Sequence, residues 1–163
     1  MLDRRETRAE NYRLLYRDPL SGLGNRASFE RALAEASRRA EKVGLLLVDI
    51  DHLKCVNDDF GYATGDLLIR EVGRRLGRMV WPGRAFRIAG GEFAVLLERD
   101  AEPAMARTVA RILMAMRVAA WCGRHLLALA VTCGGATSHP FNLGDPGMLR
   151  RQADLALRHA KET

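Results

Sequence analysis

The chain has 163 residues, 48% hydrophobic and 28% charged, with a net charge of +6 and a pI near 9.8. That length buries one real core. No apolar run reaches the roughly 18 residues of a membrane span, and Met1-Leu2-Asp3-Arg4-Arg5 lacks the apolar centre of a secretion signal. The positive charge favours an anionic partner. Its arginines are scattered, only Lys42, Lys54 and Lys161 are lysines, and aromatics total 6%. A dense basic run interleaved with aromatics is therefore missing, which weakens the case for nucleic acid; a phosphorylated small molecule fits as well, and composition does not decide between them. Cys55, Cys122 and Cys133 form an odd set without metal-ligand spacing, read as free thiols in a reducing cytoplasm.

Residues 1–17 are polar and Arg-rich and read as an exposed helical lead-in. Asp18 to Asn25 is dense in turn formers, and Asn25 suits the N-cap of a helix carrying Phe29, Leu33, Ala36 and Ala40 on one face. Val43 to Ile50 is a continuous apolar strand ending in Asp49-Ile50-Asp51. Asp58 to Gly65 reads as a polar loop, with Thr64 as cap of a helix bearing Leu67, Leu68, Val72, Leu76 and Met79. Trp81-Pro82-Gly83 ends that helix. Phe86 and Ile88, then Phe93, Val95 and Leu97, recur with period two around Gly90-Gly91, the pattern of a hairpin whose glycines supply positive φ. A helix over Pro103 to Val118 follows, then a strand from His125 to Cys133 ended or bulged by Gly134-Gly135. Asp145-Pro146 starts a last helix that buries Leu149, Leu155 and Leu157. A hairpin between helix-linked strands gives an α+β fold of the ferredoxin-like, split βαβ type, a mostly antiparallel sheet flanked by helices.

Asp49 ends an apolar strand, where a carboxylate is costly unless exposed or bound to a cation. Mg²⁺ is held by one or two carboxylates with phosphates and water, and the Ile50 carbonyl offers another oxygen. A side-chain-free turn at Gly90-Gly91 admits phosphates close to the backbone. A plain strand-end loop explains Asp49 and Asp51 equally well from spacing alone.

Asp18-x-Leu20-Ser21-Gly22-Leu23-x-Asn25-Arg26 resembles the Asp-x-Leu-Thr-Gly-Leu-x-Asn-Arg opening of GGDEF domains, the diguanylate cyclase family. Asp49-Ile50-Asp51-His52-Leu53-Lys54-x-x-Asn57-Asp58-x-x-Gly61-Tyr62-x-x-Gly65-Asp66 resembles that family's central block. Phe86 to Leu97 falls at its signature hairpin, and Ala153-Asp154-x-Ala156-Leu157-x-x-Ala160-Lys161 is similar to its closing helix. The matches run in order from residue 18 to 161 and make 18–163 the GGDEF domain, with the nucleotide-cyclase palm as the implied fold.

The resemblance implies a cytoplasmic domain that binds GTP with Mg²⁺ (or Mn²⁺) and pairs as a homodimer. Each GTP's 3′-hydroxyl then attacks the other's α-phosphorus, giving cyclic di-GMP and two diphosphates. On matching positions Asn57 and Asp66 read the guanine edge, as donor and acceptor chemistry allows. The amides near Leu53 and Lys54, the Gly90-Gly91 backbone and the Lys54 and Lys161 ammonium groups hold phosphates. Asp49, the Ile50 carbonyl and Glu92 are the implied metal ligands, with Asp49 and Glu92 as the catalytic carboxylates. Bland readings stand beside these: caps for Asn57 and Asp66, solvated lysines, a dipole partner for Asp154 near the start of its helix.

The chain departs from the family at its signature, Ala89-Gly90-Gly91-Glu92-Phe93. Either Gly91 replaces the first acid or that acid is deleted; in both alignments one metal-binding carboxylate is lost and Glu92 remains as the second. Losing one placed electrostatic group costs about 10²–10³ in rate. Weak or absent cyclisation with retained nucleotide binding is therefore expected, the alternative being a non-catalytic receptor for cyclic di-GMP or GTP. Val80-Trp81-Pro82-Gly83-Arg84 lacks the Asp of the family's inhibitory Arg-x-x-Asp site. Leu53, Tyr62 and Arg158 stand where the family has an aromatic, His and Tyr. With only 1–17 ahead of the domain, the chain reads as an excerpt of a longer sensory protein.

Overall fold

The computed structural model describes residues 3–39, 42–80, 84–98, 101–139 and 145–163. In chain order the elements are α1 (Arg4–Tyr16), α2 (Arg26–Arg38), β1 (Val43–Ile50), α3 (Leu53–Phe60), α4 (Tyr62–Met79), β2 (Arg84–Ala89), β3 (Glu92–Glu98), α5 (Ala101–Met116), β4 (Ala120–Cys122), β5 (His125–Leu127), β6 (Val131–Thr137) and α6 (Pro146–Glu162). The main sheet has the order β2-β3-β1-β6 with antiparallel pairing throughout; β4 and β5 form a separate two-stranded hairpin.

Strand β1 is central, and helices cover both its faces. Leu46, Val48 and Ile50 pack toward α4 and α5 with Leu68, Val72, Leu76, Phe93 and Ile112. Val43, Leu45 and Leu47 pack the other way against Phe29, Leu33, Leu149, Ala153 and Leu157 of α2 and α6. Burial on both faces explains why β1 reads as an unbroken apolar run although its neighbours are antiparallel. Fully burying each such Leu or Val contributes about 1.5–3 kcal/mol, so this strand is a firmly anchored platform.

The caps at Asn25 and Asp145 behave as the sequence indicates. Asn25 Oδ1 accepts from the Ser28 amide, and Asp145 Oδ1 from the Met148 amide with Pro146 in the first turn. Helix α1 buries none of its residues and is exposed up to Tyr16, which packs against Arg31 of α2. Cys122 and Cys133 are free thiols whose pKa burial raises, Cys133 to about 11.

Several expectations are corrected. Asp58 to Gly65 is mostly helical: α3 and α4 abut at Gly61, whose φ of 88° turns the chain, and Thr64 sits inside α4 with its hydroxyl donated to the Phe60 carbonyl. The expected strand from His125 to Cys133 is two strands, β5 and β6, the former paired with β4. Gly134-Gly135 lies within β6 rather than ending it. A Cβ on Gly134 would overlap the Leu157 backbone, so this glycine sets how closely α6 lies on the sheet. Leu155 is 61% exposed, and Ala153 takes its place in the core. Asp154 is in the middle of α6, not near its start. The expected break at Trp81-Pro82-Gly83, and most of the stretch lacking the inhibitory Asp, lie outside the described residues.

Candidate nucleotide site

The hairpin joining β2 and β3 turns on Gly90 and Gly91, with Ala89 paired to Glu92 across it. Only Gly90 has positive φ, 45°, so one glycine of the pair carries the conformational demand. A bulge lies at Ile88, between the Arg87 and Ala89 pairings, and Phe86 and Ile88 both enter the α2/α6 core. Arg87 steadies the turn: its Nε donates to the Gly90 carbonyl at 2.9 Å and its guanidinium pairs with Asp18 at 2.9 Å. Burial pushes the Asp18 carboxyl up, but hydrogen bonds from Ser21 and the pairing with Arg87 bring it below its ordinary value.

Strand alternation then sorts the acids. Asp49 and Glu92 are directly opposite in the β1–β3 register and share the face toward α6. With Asp154, Leu157, Arg158 and Lys161 they line an open depression of about 440 Å³. The Lys161 ammonium donates to the Asp49 carboxylate. Burial raises the Glu92 pKa, as do the Asp49 and Asp154 charges, while Arg150 and Lys161 partly offset them. Gly91 faces the opposite way. A Cβ there would lie 2.9 Å from Leu53 Cδ2 and 3.2 Å from Ile50 Cβ, so apolar side chains border the space that the absent carboxylate would enter.

Past β1 the chain turns through His52, held at φ 58°, directly into α3. No side chain caps this helix, so the first-turn amides of Leu53, Lys54 and Cys55 end it as an anion-attracting pole beside the Gly90-Gly91 turn. Asp51 is engaged elsewhere, accepting from Thr132 Oγ1 at 2.7 Å. Lys54 is exposed, and Leu53 packs on the core next to Gly91. Asn57 reaches across from α3 onto Gly65 of α4, where its amide oxygen occupies the space of a Cβ. Asp66, exposed, is the next residue along that helix. Asn57 and the residue preceding Asp66 are therefore in contact across the α3–α4 junction.

A family model for the GGDEF domain of diguanylate cyclases matches residues 15–163. The chain belongs to the GGDEF family. Among its relatives, the uncharacterized protein YhcK of Bacillus subtilis is 36% identical over 90% of this chain and 43% of its own length. The probable diguanylate cyclase DgcT of Escherichia coli is 33% identical over 92% of this chain and 34% of its own. The chain thus spans less than half of these relatives. A crystal structure of the coiled coil and GGDEF domain of DgcB from Caulobacter crescentus, in complex with cyclic di-GMP, superposes with a TM-score of 0.89 at 30% identity. It covers 97% of this chain and 86% of that one. The architecture is thus the α+β nucleotide-cyclase palm of GGDEF domains.

GGDEF diguanylate cyclases use divalent metal ions, and the residues of this GGDEF domain fit such an ion poorly as they stand. The donors are oxygens, as Mg²⁺ or Mn²⁺ requires. Yet Gly91 supplies no carboxylate, and Asp49 is already matched by Lys161. No group of three Asp, Glu, His or Cys side chains able to hold a metal occurs among the described residues. Ile50 has its side chain in the core and offers only its carbonyl.

Of the functional-site neighbours, sequence reasoning assigns Asp154 only a helix-dipole role and Arg158 only a departure from the family's Tyr, and Arg150 goes unnoticed. The signal was present: Asp154, Arg158 and Lys161 recur at helical spacing on one face of α6. Arg87 carried no such periodic signal, because its partners Asp18 and Gly90 are brought to it by the fold.

Proposed function

We propose that this GGDEF domain binds a guanine nucleotide, GTP or cyclic di-GMP, and converts GTP to cyclic di-GMP weakly or not at all. Asn57 and Asp66 read the guanine edge. The Leu53 and Lys54 amides, the Gly90-Gly91 backbone and the Lys54 and Lys161 ammonium groups receive the phosphates. Asp49, the Ile50 carbonyl and Glu92 serve as ligands of Mg²⁺ or Mn²⁺ only when Lys161 leaves Asp49. The observation that carries the reading is Gly91: it brings no carboxylate, and Leu53 and Ile50 flank the space where one would go.

A non-catalytic receptor for the same nucleotides is the second reading, favoured by the same missing acid. Two copies facing each other in the cytoplasm is the proposed working arrangement. It is supported by α1, where Tyr12, Leu14 and Leu15 are 59%, 76% and 62% exposed. It is further supported by coverage: the DgcB structure that includes a coiled coil covers 97% of this chain, against 91% for the DgcB GGDEF domain alone. Among the described residues no helix is long and apolar enough to cross a membrane.

The test pairs two measurements on one preparation: chromatography of products after incubation with GTP and Mg²⁺, and calorimetric titration with GTP and cyclic di-GMP. Nucleotide binding with little cyclic di-GMP formed is the expected result. Robust turnover removes the degeneracy, and no binding of either nucleotide removes the whole reading.

A further inference from the structure

The Asp49–Lys161 contact has a consequence for how phosphates are held. Asp49 is the carboxylate that a divalent ion would neutralise, and here an ammonium from the last turns of α6 does so. Position 91, where a further acid would call for a dipositive ion, holds a glycine hemmed in by Leu53 and Ile50. Around the depression the charges balance. Asp49, Glu92 and Asp154 face Arg158 and Lys161 on its lining, and Arg150 acts on Glu92 from the neighbouring turn of α6.

The two cations differ in what they ask of a site. Mg²⁺ demands near-octahedral oxygen coordination and gives up water reluctantly. An ammonium is a compact point charge with three donors and no fixed coordination polyhedron. With one donor on Asp49, Lys161 keeps two for phosphate oxygens. The uncapped amides of Leu53, Lys54 and Cys55, beside the Gly90-Gly91 turn, are further donors.

We propose that Lys161 stands in for the divalent ion, so that this domain binds the phosphates of a guanine nucleotide without Mg²⁺ or Mn²⁺. The inference rests on the guanine-nucleotide reading above. It makes Lys161 a bridge between Asp49 and phosphate, and it separates binding, which needs donors for the phosphate oxygens, from turnover, which needs the missing acid.

The test is calorimetric titration of the full chain with GTP, once with millimolar Mg²⁺ and once with excess EDTA, for wild type, Lys161→Ala and Lys161→Arg. Wild type should bind GTP in both buffers with affinities agreeing to within about threefold, roughly half of the 1.4 kcal/mol that a tenfold change represents. Lys161→Ala should lose about tenfold or more in EDTA, the loss of a charge-assisted hydrogen bond, and regain affinity when Mg²⁺ is added. Lys161→Arg, which keeps the charge, should remain indifferent to the chelator. Lys161 is exposed, so thermal melting should show both variants folded. A larger loss of wild-type affinity in EDTA overturns the inference and leaves the nucleotide reading standing. So does a Lys161→Ala protein that binds in EDTA like wild type. Absence of wild-type binding in both buffers overturns the nucleotide reading itself, and the inference with it.

Discussion

Gly91→Asp is the most direct perturbation of the signature turn. Gly91 has ordinary φ, so a side chain adds no backbone strain there. The obstacle is space. The new Cβ would stand 2.9 Å from Leu53 Cδ2, 3.2 Å from Ile50 Cβ and 3.5 Å from Ile50 Cδ1. Carbon atoms pack best at about 3.5–4.0 Å, so Leu53 must shift. Overpacking of this kind costs about 1–3 kcal/mol, which for a domain of this size lowers Tm by about 2–12 °C. Adding Leu53→Ala opens the site, so the two substitutions should be non-additive in thermal melts, with the double variant more stable than the sum of the singles. The same double variant sets a carboxylate beside the uncapped start of α3. Its cyclic di-GMP output from GTP, measured by chromatography, should exceed wild type by about 10²–10³ if that carboxylate is the missing group. A Gly91→Asp protein that melts like wild type, with Leu53→Ala making no difference to it, would refute the packing argument. Wild type turning over as fast as the double variant would refute the catalytic one.

Three further outcomes follow from particular contacts. Asn57→Ala and Asp66→Ala should each weaken GTP binding by calorimetry by about 1–3 kcal/mol, and Asp66→Ala should leave the melting temperature nearly unchanged, since its side chain is exposed. Hydrogen bonds from Arg74 hold the Glu71 carboxyl down at about 2, with help from Arg75, against the opposing effect of burial. A depressed carboxylate stabilises the fold above its unfolded pKa. That stability should fade as pH falls from about 4.5 toward 2, and Glu71→Gln should flatten this part of a denaturation-versus-pH series. Gly134→Ala places a methyl group into the Leu157 backbone. It should cost about 3 kcal/mol or more by driving α6 off the sheet, read as a sharply lowered denaturation midpoint or loss of soluble protein.

Elements whose signal is local were legible in the sequence: β1 from its apolar run, α2 from Asn25, α6 from Asp145-Pro146, and the hairpin from its period of two. What escaped was set by tertiary context. Helix α3 buries none of its residues, so its exposed polar side chains read as loop. Strands β4 and β5 have three residues each, too few for alternation to register. Gly134-Gly135 reads as a strand breaker until α6 is seen lying directly on it. In the candidate site, ordered motifs brought Asn57, Asp66, Asp49 and Lys161 to notice. Which face each side chain takes emerged only from the β1–β3 register, and that register sets Glu92 beside Asp49 and Gly91 against Leu53.

The most direct measurement is nucleotide occupancy and product counted together on one wild-type sample saturated with GTP in Mg²⁺. Bound GTP persisting with little cyclic di-GMP formed is the expected result. Cyclic di-GMP accumulating in wild type at the rate of the Gly91→Asp/Leu53→Ala protein would contradict it.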